Sequence, residues 1–268
     1  MKNSFFKTWG ALIFSAAASF TTAANASAII ADWNFAEAAN TKLHQTGNDG
    51  SGVGGSGGSW NVGITGLATD GAGLLKINND GKGGSGTRSS YADFGPNFDQ
   101  VTSGMLSLYT RFTSWNPARL NQNFTLGFIE GNDFGSAEFS FAASSSGFDL
   151  SGNVDGLGDG TALSNSAHFN SFRPLTVRLD VNLDLLSYML SYDTGSGFLS
   201  LGSATIDSMT QGINSLRLGL NGDFINSGLM LDRIWVVETD SSEIPEPSSI
   251  AIMFLGLFLL VLFRRRAR

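Results

Sequence analysis

Between about residues 27 and 240 the chain alternates apolar and polar positions in short runs broken by Gly, Asn, Asp and Ser. That period of two predicts half-buried strands rather than helices. Leu175, Val177, Leu179 and Val181 alternate with Thr176, Arg178 and Asp180, and a turn near Asn182-Leu183-Asp184 leads into Leu186, Tyr188, Leu190 and Tyr192. Leu106, Leu108 and Phe112 share a face, as do Phe124, Leu126 and Phe128, then Phe139 and Phe141, then Phe148 and Leu150. Leu216, Leu218 and Leu220 precede a turn at Asn221-Gly222-Asp223. In the last run, strict alternation puts Leu229, Leu231, Trp235 and Val237 on one face and Met230, Ile234 and Val236 on the other. Two apolar faces predict a central strand of a covered sheet. The one short helix predicted covers residues 207–211, capped by Asp207 and stopped by Gly212.

About ten to twelve such strands in roughly 210 residues predict an all-β fold, an antiparallel two-sheet β-sandwich of the jelly-roll kind. The runs Leu175-Thr-Val-Arg-Leu-Asp-Val181, Leu186-Ser-Tyr-Met-Leu-Ser-Tyr192 and Leu231-Asp-Arg-Ile-Trp-Val-Val237 follow in an order that resembles the concanavalin A-like lectin and glucanase sandwich of laminin-G-type domains. The resemblance implies that the opening Ala31-Asp-Trp-Asn-Phe35 pairs near the closing strand.

Composition narrows the chemistry. The 268 residues hold 34 Gly, 21 Phe, two His and no Cys. Without a thiol there is no disulfide framework, no Cys-ligated zinc or iron–sulfur site and no Cys nucleophile. Six of the 16 basic residues stand at the extreme ends, so the rest of the chain carries 10 against 23 acidic residues, a net of −13. Such a body repels phosphate backbones, and nucleic acid is not an expected partner.

The two ends read as addresses. Lys2 and Lys7 precede a short apolar stretch from Trp9 to Phe20 and a small-residue site at Ala24-Asn25-Ala26, the order of a secretory signal peptide over residues 1–26. At the other end Pro245, Glu246 and Pro247 stiffen the chain, residues 250–263 are apolar throughout, and Arg264, Arg265 and Arg266 stop the run. As a helix those residues reach about 21 Å, a short transmembrane span that Ser248, Ser249 and snorkelling arginines extend. The arginines belong on the cytoplasmic side, which leaves the body outside.

A Pro-Glu-Pro motif, a short span and a basic tail, in that order at the C-terminus, resemble the PEP-CTERM protein-sorting signal, here over residues 241–268. The resemblance implies recognition and cleavage by exosortase in a Gram-negative bacterium. It also implies transient anchoring through the C-terminal helix, then delivery to the cell surface or an exopolysaccharide matrix. The domain plan is then a signal peptide (1–26), a β-sandwich (27–240) and the sorting signal (241–268).

No catalytic set is legible in the body. The Glu-x-Asp-x-x-Glu spacing used by some glucanases of this fold is absent, and Glu37, Glu130, Glu138, Glu238 and Glu243 are scattered. Gly52-x-Gly54-x-x-Gly57 and Gly81-x-Gly83-x-x-Gly86 satisfy a dinucleotide pattern without the strand and helix that give it meaning. Ser56 within Gly54-Gly-Ser56-Gly-Gly58 sits in a Gly/Ser tract and reads as surface loop. Asn153-Val-Asp155-Gly156-Leu-Gly158-Asp159-Gly160 places oxygen ligands at Asn153, Asp155 and Asp159 and resembles an extracellular calcium loop. A plain Gly/Asp turn is the preferred reading, since the loop occurs once and lacks a bidentate Glu; no other cofactor is expected. Asn78-Asn79-Asp80-Gly81 reads as a hairpin turn, and His44 and His168 as partnerless loop residues. Trp60, Trp115 and Tyr91, close to loops, are the candidates for stacking on sugar rings, while Trp33 and Trp235 belong to core strands. The function expected is therefore that of a non-enzymatic, lectin-like exported protein in contact with exopolysaccharide. The alternative is a secreted glycosidase or polysaccharide lyase on the same fold.

Overall fold

Among the described residues, fourteen strands carry the alternation into two antiparallel sheets. The computed structural model describes residues 27–43, 58, 60, 67–77, 88–95, 100–116, 120, 122–130, 137–154, 161–206, 212–222, 224 and 228–239. The signal peptide, the 207–211 helix, the Asn78–Gly81 turn, and the Pro245–Glu246–Pro247 motif with its apolar and arginine segments lie outside these residues.

The strands are β1 (Ser27–Trp33), β2 (Leu67–Thr69), β3 (Leu75–Ile77), β4 (Arg88–Asp93), β5 (Met105–Ser114), β6 (Asn123–Glu130) and β7 (Ala137–Ser144). They continue as β8 (Gly147–Val154), β9 (Ser166–Phe169), β10 (Leu175–Asn182), β11 (Ser187–Asp193), β12 (Leu199–Thr205), β13 (Ile213–Asn221) and β14 (Leu229–Thr239). One sheet runs β12-β11-β10-β5-β14-β3-β2, with β1 also on β14; the other runs β4-β13-β6-β7-β8-β9. Strand β14 divides one of its edges: Leu229 to Leu231 pair with β3, and Ile234 to Thr239 with β1. The opening strand thus lies on the closing one, with Trp33 opposite Ile234.

The inward residues of both sheets form one hydrophobic cluster. Leu106, Leu108 and Phe112 on β5 and Leu175, Val177, Leu179 and Val181 on β10 line one side; Phe124, Leu126, Phe139, Phe141, Leu216 and Leu218 line the other. Phe112 joins the layers, with its ring centroid 5.2 Å from Phe124, 6.3 Å from Phe139 and 5.1 Å from Phe141. The pairs with Phe124 and Phe139 are edge-to-face and the one with Phe141 is tilted; edge-to-face pairs add about 0.5–1.5 kcal/mol each beyond the area they bury.

The face assignment along β14 fails because the pairing with β5 slips between Leu231 and Arg233. An irregularity of one residue exchanges the faces of everything after it. Leu229, Leu231, Ile234 and Val236 are therefore the buried set, and Trp235 and Val237 face outward, half-buried. Trp60 and Trp115 are not exposed stacking platforms, at 2% and 4% exposure. Trp60 bridges to Ala92 on the β4 edge and its ring lies 5.4 Å from that of Trp33. Trp115 follows β5 into a nest of Phe141, Phe148 and Phe224, and its indole N–H donates to Gln122 Oε1 at 3.2 Å. A large ring beside a strand end gains more by packing against neighbouring rings than by standing in water.

Candidate functional site

The two outer faces of the sandwich differ, and the difference selects the site. On the eight-stranded sheet, Asp32, Trp235, Tyr109 and Arg178 stand in one cross-strand row. The Arg233 guanidinium lies 4.9 Å from the Trp235 ring centre, Trp235 stacks on Tyr109 at 4.9 Å and 5°, and Arg178 lies 5.4 Å from Tyr109. Asp32 holds Arg233 through two bonds of 2.8 and 2.7 Å, and Asp180 accepts from Arg178 at 2.7 Å. The ring faces and charges of this surface are thus taken up by one another.

The outer face of the six-stranded sheet is built from polar residues in register. Phe124, Leu126, Phe139, Phe141, Phe148, Leu150, Leu216 and Leu218 turn inward, so their neighbours along each strand turn outward. The central row is Ser89, Gly219, Thr125, Ser140, Ser151 and Ser166, one from each strand from β4 to β9. With strands spaced about 4.8 Å apart, this row of five hydroxyls and one bare glycine is about 24 Å long. A second row, two residues along, is Tyr91, Arg217, Gly127, Glu138 and Asn153. A third holds Asn221, Asn123, Ala142, Asp149 and His168.

Within this grid each charge has a counter-charge. Arg217 Nη2 donates to Glu138 Oε2 at 2.7 Å, although β6 lies between their strands. Gly127 is the β6 residue between them, and a Cβ there would stand 2.4 Å from the Glu138 Cβ and 2.5 Å from the Ala137 carbonyl oxygen. The pair crosses the sheet because that position has no side chain. Glu138 is only 7% exposed. Its burial pushes the carboxyl above the ordinary carboxylate range, and the Arg217 guanidinium pulls it back in part.

His168 Nδ1 and Asp149 Oδ1 lie 2.7 Å apart across the β8–β9 pairing. The histidine is in strand β9 with a carboxylate partner, not a partnerless loop residue. Asp149 raises its pKa first of all by the hydrogen bond, and further by its charge. In an NMR titration the His168 ring should therefore titrate above the usual value of about 6.5, and Asp149→Asn should bring it back. Because the folded value is raised, the stabilisation from this pair is complete below the unfolded value. It fades as the pH climbs through the raised one.

Of the other expected site residues, Tyr91 stands half-buried on this polar face, in register with Arg217. Asn153 is exposed at the end of β8, opposite Glu138. Asp155 and Asp159 lie outside the described residues. Among the described residues, no group of three or more His, Cys, Asp or Glu could hold a metal ion. The face offers neutral donors and acceptors at regular spacing, flanked by two internal ion pairs. That suits a ligand with many hydroxyls and an extended shape.

The sandwich is similar to the endo-1,3-beta-glucanase from Streptomyces sioyaensis, at 14% identity and a TM-score of 0.51, over 83% of this chain and 100% of that one. It is also similar to the CBM2 module of the Lactobacillus casei BL23 phage J-1 evolved Dit, at 9% identity and a TM-score of 0.51, over 80% and 96% of the two chains. These likenesses show the fold, a concanavalin A-like two-sheet sandwich. No curated relative matches the sequence. Residues 243–266 match the family model described as the PEP-CTERM protein-sorting motif, so the chain carries that sorting motif behind its β-sandwich.

Proposed function

We propose that this is an exported surface or extracellular-matrix protein that holds exopolysaccharide along the polar face of its six-stranded sheet, without chemistry. Residues 1–26 direct export from a Gram-negative cell. The C-terminal helix holds the chain in the membrane until exosortase acts at the Pro245–Glu246–Pro247 motif, and the sandwich is then delivered to the surface or matrix. The sorting half of this reading is supported by the match over residues 243–266. The binding half is carried by the hydroxyl row running from Ser89 to Ser166, whose length and even spacing suit a chain of sugar rings rather than a single one.

Binding rather than catalysis is favoured by the placement of the carboxylates. Glu138 shares a row with Asn153, and Asp149 is four residues from Asn153 on the same strand, about 13 Å away at strand rise. Glycosidase carboxylates work at about 5–9.5 Å. These two also turn to opposite sides, Glu138 toward β13 and Asp149 toward β9.

Ser140→Tyr places a ring in the middle of the hydroxyl row at a half-buried, outward position. It should lower affinity for the exopolysaccharide of the producing cell at least tenfold in a sedimentation assay, with thermal unfolding little changed. Equal binding by the two proteins would remove the polar face from the function. Intact-mass measurement on the mature protein tests the sorting: a product that still carries Arg264, Arg265 and Arg266 contradicts exosortase cleavage.

A further inference from the structure

Which class of polysaccharide the face accepts is written in its charges. Among the described residues, alternation puts two cationic residues on this face, Arg217 and His168. Each is held at 2.7 Å by a carboxylate of the same face, Glu138 and Asp149. A uronate, sulfate or phosphate group on a ligand would have to displace a carboxylate already in place. For Arg217 that carboxylate is buried, so its removal leaves a desolvated charge behind. For His168 the pairing is exposed, with Asp149 on β8, the Ser146 backbone and the Asn170 side chain around the ring. Protonated, the His168–Asp149 pair is neutral; deprotonated, it carries one negative charge. At no pH where both carboxylates are ionised does the grid of Ser89, Thr125, Ser140, Ser151 and Ser166 acquire a positive flank. The acidic body adds repulsion at longer range.

Given the glycan reading above, on which this rests, we infer that the ligand is a neutral, linear polysaccharide, bound through its hydroxyls, and that the Arg217–Glu138 pair excludes anionic glycans. The pair acts as a filter because Gly127 lets the two side chains meet. One substitution should change the specificity of the face. Glu138→Gln keeps the shape of the side chain and a carbonyl oxygen for Arg217 to bond. It removes the counter-charge, so the face gains one net positive charge beside the hydroxyl row.

The test uses the full-length protein in mild detergent and the exopolysaccharide of the producing bacterium, split by anion exchange into neutral and acidic fractions. The wild type should bind the neutral fraction, with an affinity that changes less than twofold between about 0.05 and about 0.5 M salt, because no screened ion pair is involved. Glu138→Gln should gain at least tenfold for the acidic fraction, a gain that about 0.5 M salt abolishes. Wild-type binding confined to the acidic fraction and weakened by salt would overturn the neutral-ligand inference and leave the glycan reading standing. Binding to neither fraction would overturn the glycan reading itself. A Glu138→Gln protein with wild-type melting and no gain for the acidic fraction would show that the ligand does not meet Arg217, and would overturn the filter.

Discussion

Phe112→Ala should destabilise the sandwich by about 3–5 kcal/mol, the range for emptying a buried Phe position. The site has no route to partial recovery. Phe112 is fully buried on the central strand β5, and rings of Phe124, Phe139 and Phe141 contact it from the opposite sheet. Those partners are themselves fully buried and sit on neighbouring strands β6 and β7, so collapse into the cavity would require the two sheets to move together. The thermal midpoint should fall by about 10 °C, given about 2–4 °C per kcal/mol for a domain of this size. Phe148→Ala is the control. Phe148 is 6% exposed, near the rim of the same cluster, and its loss should cost distinctly less. Calorimetry or denaturant melts of the two variants decide the matter; equal losses would mean that Phe112 is not the link between the layers.

The core was readable because its signal is local. In β5, β6, β7, β8 and β10 every inward aromatic or branched residue stands two positions from the next, so alternation alone predicts the faces. The same rule failed at β14, where a register slip between Leu231 and Arg233 turned Trp235 outward, and no residue type at that point announces the slip. It missed His168 because β9 is four residues long with Ala167 as its one buried apolar residue, too weak a pattern to separate from a loop. The three-residue strands β2 and β3 are below the window over which alternation can be seen. The polar face was legible as single residues and illegible as a site. Successive members of the set Ser89, Thr125, Ser140, Ser151 and Ser166 lie 11 to 36 positions apart along the chain, and only the pairing registers of β4, β13, β6, β7, β8 and β9 line them up. By contrast the sorting motif is contiguous in the chain, with its meaning in the order of residues 243–266, and it needed no fold to be read.

Arg217→Ala should cost about 3–5 kcal/mol at neutral pH, the usual loss when one member of a buried ion pair is removed and the other is left charged. Glu138 would then keep its burial without the guanidinium that now offsets it. Gly127, the residue directly opposite on β6, has no side chain to offer it. The sign of the pH dependence follows from the direction of the Glu138 shift. Its folded pKa is already raised by burial, and removing Arg217 raises it further. A carboxyl raised in the folded state favours folding when protonated, so its favourable contribution is complete below the unfolded value of about 4.3. That contribution is lost as the pH rises through the folded value. The melting point of Arg217→Ala should therefore approach that of the wild type as the pH is lowered from 7 toward about 4.3, and the gap should reopen on return to neutrality. Adding Glu138→Gln to Arg217→Ala removes the stranded charge, and the double variant should recover most of the loss at pH 7 while losing the pH dependence of the single one. A single variant whose deficit is the same at both pH values would place the cost in packing around Arg217, not in the buried charge of Glu138.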